Sequence, residues 1–386
     1  MSSDITQPSW RTEGAVHFST AGAFFRGSSK TGRDLAILAA LAYRQHADNP
    51  SGQLRVIDAM TGCGVRTVRY LLEAEADYVW ANEGNQDLSE LIRVNLQSNL
   101  DSQRFSNRYH LTHQDANSVF FEAYQRREFY DLIDIDSFGS PTPTLGTSLW
   151  AVKLGGLLYL TSTDGRATSG RALDSALQSY GACARAHPAV HEQGVRLLIG
   201  TAVQQAAARG LGAKPIFSWY HGEVNRVMVR ITRALNWQRQ HYGFLTYCHA
   251  CGQFQTLSWK ALGKGASCDC GSTEAPVVSG PMWLGPLHDS TELAAMRRIA
   301  VQKDWTDCSR LIEVMQAEAD LPPYFYPLAE IGRRAQLDIP PRKRLIERLQ
   351  AAGFEATVTH FSTQAIKTDA SLSTCLDLAR QLSRLS

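Results

Sequence analysis

Short apolar runs, many β-branched, alternate along the first two thirds of the chain with longer stretches of helical period. Leu54-Arg55-Val56-Ile57-Asp58 predicts a strand, Tyr78-Val79-Trp80-Ala81-Asn82 a second, and Tyr109-His110-Leu111-Thr112 a weaker third. Residues 131–135 predict a fourth and residues 156–161 a fifth, with helices between them at 88–96 and 118–127. Strand–helix alternation at this spacing builds βαβ units and hence a parallel, doubly wound sheet. The runs at 216–220 and 226–231 flank the turn-like His221-Gly222-Glu223-Val224-Asn225 and predict a terminal antiparallel hairpin. A parallel sheet closed this way resembles the architecture of class I methyltransferases more than that of nicotinamide dehydrogenases.

After about Gln240 the texture changes. A cysteine-bearing segment at 248–271 gives way to a Pro- and Gly-rich stretch from Val277 to Pro286. A mainly helical tail follows, in which Pro322-Pro323 and Pro340-Pro341 mark helix starts. With 386 residues, more than one core fills comfortably, the expectation is two domains. The first, at 1–238, is α/β with an N-terminal extension; the second, at 239–386, is a smaller α+β unit carrying the cysteine knuckle.

The fourth strand carries the densest chemistry. It delivers Asp136 to the carboxyl edge of the sheet, where open α/β sheets place their ligands, and Phe138-Gly139-Ser140-Pro141 follows at once. A carboxylate beside an exposed aromatic can grip a flat base and polarise its exocyclic amine. The competing reading makes Asp136 a helix cap and Phe138 packing. The first strand runs into Thr61-Gly62-Cys63-Gly64-Val65-Arg66, a turn open to close approach by a ligand but lacking the third glycine of a dinucleotide site. Glu83 ends the second strand about twenty residues on, where a carboxylate holds ribose hydroxyls. Asp115-Ala116 ends the third, suited to an adenine amino group and ring face. Three strand ends in register point to a nucleoside cofactor without a pyrophosphate.

Charge and cysteine usage narrow the setting. A net charge of +2 neither demands nor excludes nucleic acid. No apolar run is long enough to span a membrane, and the N-terminus has no basic-then-apolar leader, so a cytoplasmic protein is expected. Eight cysteines there are reduced thiols. Cys248-x-x-Cys251 and Cys268-x-Cys270, with trailing glycines, suit a structural zinc, with His249 as a substitute ligand. Cys63, Cys183, Cys308 and Cys375 read as buried small apolar residues.

With Asp-Ile-Asp-Ser-Phe-Gly-Ser-Pro in place, the chain resembles the tRNA (guanine-26, N2) dimethyltransferase family nearly end to end. The likeness includes Arg33-Asp34-Leu35, the 62–66 turn, Asp115-Ala116-Asn117, residues 161–164, residues 191–200, Thr359-His360, and Ile366-Lys367-Thr368-Asp369-Ala370. It implies that Arg33, Arg66, Glu83, Asp115 and Ala116 contact S-adenosylmethionine, that Asp136 is the catalytic carboxylate, and that Phe138 stacks on the guanine. It also implies tRNA as partner, with no membrane and no obligate protein partner. Ser137 stands where the family has proline, Glu83 where it has aspartate, and Cys268-x-Cys270 where it has Cys-x-x-Cys. Ser137 is therefore expected to loosen the loop holding Phe138, and residues 24–29 to gate the substrate differently. Two alternatives stay open: a related enzyme acting on another base or nucleic acid, and a catalytically silent RNA-binding protein.

Overall fold

The computed structural model describes residues 10–47, 49–105, 107–234 and 238–384. Residues 1–4, read above for a leader, lie outside them. Seven strands form the central sheet: β3 (Arg55–Asp58), β4 (Tyr78–Asn82), β5 (Tyr109–Thr112), β6 (Tyr130–Asp136), β7 (Val152–Ser162), β8 (Gly212–His221) and β9 (Val224–Thr232). Before it comes a small hairpin, β1 (Trp10–Glu13) and β2 (Val16–Ser19), which the sequence pattern did not announce. The strand order is β5-β4-β3-β6-β7-β9-β8; β3 to β7 pair in parallel, and β9 runs antiparallel to both β7 and β8. The class I methyltransferase architecture expected from the alternation is thus present.

Successive residues of the central strands point to opposite faces, so each face builds its own core. Ile57, Ile133, Ile135, Leu158 and Leu160 pack with the Val190–Ala207 helix, whose Val195, Leu198 and Ile199 are fully or almost fully buried. Val56, Leu132, Leu157 and Tyr159 pack on the other side with the Lys30–Arg44 helix, an apolar rod buried from Gly32 to Tyr43. The Ser290–Gln302 and Thr306–Glu318 helices join this second core through Leu293, Met296, Ile299, Ile312 and Met315. Residues far beyond the sheet in sequence therefore seal its face.

The C-terminal third contains two three-stranded sheets. One has β10 (Tyr242–Tyr247) between β11 (Phe254–Leu257) and β12 (Val277–Trp283); the other has β15 (Ser362–Thr368) between β13 (Tyr326–Pro327) and β14 (Ala356–Thr359). The Pro- and Gly-rich stretch from Val277 thus begins with a strand. Its ladder to β10 is interrupted by a register shift between Gly243 and Leu245, which accommodates the glycine and proline. Pro341 caps the Arg342–Ala351 helix as expected, whereas Pro322-Pro323 lies several residues ahead of the Leu328–Ala335 helix, which Pro327 caps. No helix among the described residues is long and apolar enough to cross a membrane.

Candidate functional site

A cavity of about 430 Å³ opens at the carboxyl ends of β3, β4 and β6, within the size range of small-molecule sites. Gly62, Cys63, Val65 and Arg66 form its floor after β3, and Glu83, Gly84 and Asn85 its wall after β4. Gly64 ends the turn with φ +85, and a Cβ there would press within 3.3 Å of Ile92 Cγ2. Glu83 braces this turn: Oε2 accepts from the Gly62 N–H at 2.8 Å and Oε1 from the Asn85 N–H at 2.9 Å. Each oxygen retains a lone pair for a ligand hydroxyl. Arg33 also lines the cavity, but its Nε (2.6 Å) and Nη2 (2.5 Å) are bound by the two oxygens of Glu13. That pair belongs to a buried group in which Arg69 also reaches Glu13, Asp34 and Glu73.

Arg66 faces the same space and is committed to carboxylates. Nη1 donates to Asp134 at 2.9 Å and Nη2 to Asp136 at 2.5 Å. Asp58, Asp134 and Asp136 thus cluster around one guanidinium. Burial, then the charge of Asp134, pushes the Asp58 carboxyl up to about 7. Burial also raises Asp134, which accepts from the Tyr70 hydroxyl at 2.7 Å. Asp136 behaves differently: burial opposes its charge, but Arg66 and then Arg226 outweigh that and hold the carboxyl below its ordinary value. Arg226 comes from β9 through a register row across the edge, Asp136 beside Thr161 and Thr161 beside Arg226. Nothing in the local sequence of β9 signalled it.

Phe138 stands 74% exposed at the mouth, so it is not core packing. Its loop is pinned to the end of β7: the Gly139 N–H donates to Thr163 Oγ1 at 2.7 Å, the Thr163 N–H to Gly139 O at 2.8 Å, and Ser137 Oγ to Thr161 O at 3.1 Å. Ser137 therefore ties the loop down rather than loosening it. Facing Phe138 is Phe24, 63% exposed, with ring centroids 5.0 Å apart and planes at 68°. The sequence marked residues 24–29 as unusual but did not single out Phe24; two adjacent aromatics in a turn were the available signal.

The cavity thus collects Arg33, Arg66, Glu83, Asp136 and Phe138. Asp115 and Ala116 lie one strand away and do not line it. Asp115 caps the Ala116–Gln125 helix, accepting from the Asn117 N–H at 2.9 Å, and Ala116 is buried.

The four knuckle cysteines converge from the ends of β10 and the loop before β12, all sulfurs within 4.8 Å of one another. Cys248 and Cys270 sulfurs are 3.7 Å apart, Cys251 and Cys268 3.4 Å. A tetrahedron with zinc–sulfur bonds of about 2.3 Å has edges of about 3.8 Å, so the four thiols fit zinc despite the shortened Cys-x-Cys. His249 packs edge-on to Tyr247 and is not among the four converging ligands. Arg334 donates to the carbonyls of His249 (2.9 Å) and Ala250 (2.8 Å), fastening the knuckle to the Leu328–Ala335 helix. Of the other cysteines, Cys63, Cys308 and Cys375 are buried and Cys183 is half-buried.

Comparison with known proteins meets this geometry. The profile of the family described as N2,N2-dimethylguanosine tRNA methyltransferase matches residues 7–380. A tRNA (guanine(26)-N(2))-dimethyltransferase of Pyrococcus horikoshii is 30% identical over 331 residues, covering 82% of this chain and 83% of the relative. The protein of that name from Archaeoglobus fulgidus is 30% identical over 366 residues, covering 93% and 95%. The solved complex of Trm1 from Pyrococcus horikoshii with S-adenosyl-L-methionine superposes with a TM-score of 0.81 at 26% identity, covering 96% of this chain and 99% of that one. The chain belongs to the N2,N2-dimethylguanosine tRNA methyltransferase family.

Proposed function

We propose that this chain transfers methyl groups from S-adenosylmethionine to the exocyclic 2-amino group of guanine 26 in tRNA, up to the dimethylated base. The observation that carries this reading is the pair of exposed rings, Phe24 and Phe138, that line a nucleoside-sized cavity together with Asp136. When bound, S-adenosylmethionine supplies an electrophilic methyl on a sulfonium sulfur. In this reading Glu83 takes the ribose hydroxyls, and Arg33, held by Glu13, takes the cofactor carboxylate. Asp115 and Ala116 would reach the adenine only from the adjoining strand end.

Asp136 accepts a hydrogen bond from the guanine amino group and opposes delocalisation of its lone pair into the ring. Its low affinity for protons makes it a weak base but a persistent anion. That suffices, because an amine nitrogen that has taken a methyl becomes strongly acidic and loses its proton readily. Arg66 thus acts by holding Asp136 ionised and aimed. Phe138 supplies the stacking face that aligns nitrogen with methyl, and a base paired in tRNA must turn out to reach it.

Residues 239–386, with zinc held by Cys248, Cys251, Cys268 and Cys270, are assigned to gripping tRNA, and the activity to the cytoplasm. The test is nucleoside mass spectrometry of unmodified tRNA transcripts after incubation with the protein and S-adenosylmethionine, with Asp136→Ala alongside. Dimethylguanosine that depends on Asp136 is expected. Methylated adenosine would overturn the substrate, and Asp136-independent product the catalytic assignment.

A further inference from the structure

The carboxyl edge of the central sheet divides at β6. The turns after β3 and β4 take the cofactor side, and Asp136 stands at the centre. On the far side lie the ends of β7, β9 and β8, whose Thr161, Thr163 and Arg226 support Asp136 and the Phe138 loop but whose outer surface has no role above. Ser162 pairs with Asn225, and His221 with Val224, so the β8–β9 tip projects from the same edge as Asp136. The short Gly165–Thr168 helix leaves β7 beside that tip, with Gly165 packed against Glu223.

This half of the edge has an unusual surface. Arg166 and Arg171 are exposed, and neither is ion-paired to a carboxylate among the described residues; Arg171 Nε donates to Ser169 Oγ at 3.0 Å. Glu223 and Arg171 are the charges that act on the His191 and Tyr220 rings. Tyr220 stacks on His191, centroids 4.2 Å apart and planes at 17°. Burial and the charge of Arg171 lower the proton affinity of His191, although Glu223 works the other way, so the imidazole is a neutral stacking surface near pH 7. At the tip, exposed His221 lies parallel to Trp219 at 5.4 Å. Arg26, a wall of the cavity, donates to Gly222 O at 3.2 Å and joins the two halves.

We infer that the ends of β7, β8 and β9 bind the RNA chain flanking the everted guanine, with Arg166 and Arg171 on phosphates and the Tyr220–His191 stack beneath a base or ribose. The inference rests on the tRNA reading above and extends it to a named surface. The cofactor fills the β3–β4 side, so a base entering over β6 has its neighbouring nucleotides led out over β7, β9 and β8. Guanidinium groups without carboxylate partners and aromatic platforms are the two features by which proteins hold unpaired nucleic acid.

The test measures tRNA affinity by filter binding from 50 to 300 mM salt, for the wild type, an Arg166→Ala/Arg171→Ala double variant, and Tyr220→Ala. Loss of two phosphate contacts should weaken binding about tenfold and flatten the slope of log Kd against log salt by roughly 1.4–1.8. Tyr220→Ala should weaken binding about fivefold with an unchanged slope, and Tyr220→Phe should restore it. Cofactor affinity should be unchanged in every variant, which separates this surface from a folding defect. A double variant with wild-type affinity and slope, while the wild type makes dimethylguanosine, overturns the inference alone. A wild type that neither binds nor methylates tRNA overturns the reading on which it rests.

Discussion

Lys367 Nζ lies 2.6 Å from Glu192 Oε1, with both side chains fully buried and the two residues 175 positions apart in sequence. Glu192 begins the Val190–Ala207 helix behind the central sheet, and Lys367 lies on β15. Arg196 joins them, donating to the same Glu192 oxygen and to the carbonyls of Trp283 and Gly285 at the end of β12. One carboxylate thus ties the methyltransferase sheet to both C-terminal sheets. A buried ion in this position is costly unless its partners are present, so the three residues act as a set.

Removing the members of that set should have unequal effects. Glu192→Leu leaves Arg196 and Lys367 buried without a carboxylate partner, at about 3–5 kcal/mol. Lys367→Met leaves Glu192 still paired with Arg196 and should cost roughly half as much. Urea unfolding of the two variants checks the order; a Lys367→Met variant as unstable as Glu192→Leu would contradict it.

Phe138→Ala should spare stability and damage turnover. An exposed ring contributes within about 0.5 kcal/mol to folding. A stacked base contributes about 1–3 kcal/mol, hence a loss of about five- to 150-fold in kcat/KM for tRNA. Steady-state kinetics with a thermal melt alongside separates the two.

The pH profile should depend on Arg66. In the mechanism proposed above the ionised form of Asp136 is the active one, and its carboxyl sits below the ordinary value because Arg66 and Arg226 overcome burial. Activity should therefore persist as pH falls through 5, and the acid limb from Asp136 should lie below pH 4. In Arg66→Met, burial keeps its upward push while the nearer cation is gone, so the acid limb should move to higher pH. An unshifted limb, measured as kcat against pH on tRNA, would remove Arg66 from this role.

Zinc should be found at about one ion per chain by atomic emission, and Cys268→Ser should lower that content sharply. Because the knuckle is fastened to the Leu328–Ala335 helix by Arg334, the same variant should lower tRNA affinity more than cofactor affinity. Metal content equal in wild type and variant would show that the four thiols do not bind zinc.

Much of the site could be read along the chain because its parts are local. Asp136 and Phe138 are two residues apart at a strand end, the 62–66 turn follows a strand directly, and the cysteine pairs are short-range motifs. The roles of Phe24 and Arg226 could not be found this way. Phe24 meets Phe138 across more than a hundred residues, and Arg226 reaches Asp136 only through the antiparallel pairing of β9 with β7. The small hairpin β1–β2 was missed because four-residue strands carry too little periodicity.

Sequence by itself determined the alternating strands and helices, the antiparallel closing hairpin, the carboxylate on β6 and the spacing of the thiols. Those follow from periodicity and from residue types whose chemistry is set within a few positions. Tertiary structure alone decided what each charge does. The family resemblance names Arg33 and Arg66 as cofactor contacts, but the carboxylates that neutralise these buried guanidinium groups come together only on folding, Glu13 at one and Asp134 with Asp136 at the other. The motifs at 191–200 and 366–370 carried no chemistry of their own until the fold set Glu192, Arg196 and Lys367 in contact. Charge pairing is a property of three-dimensional distance and burial, and neither is written in sequence separation.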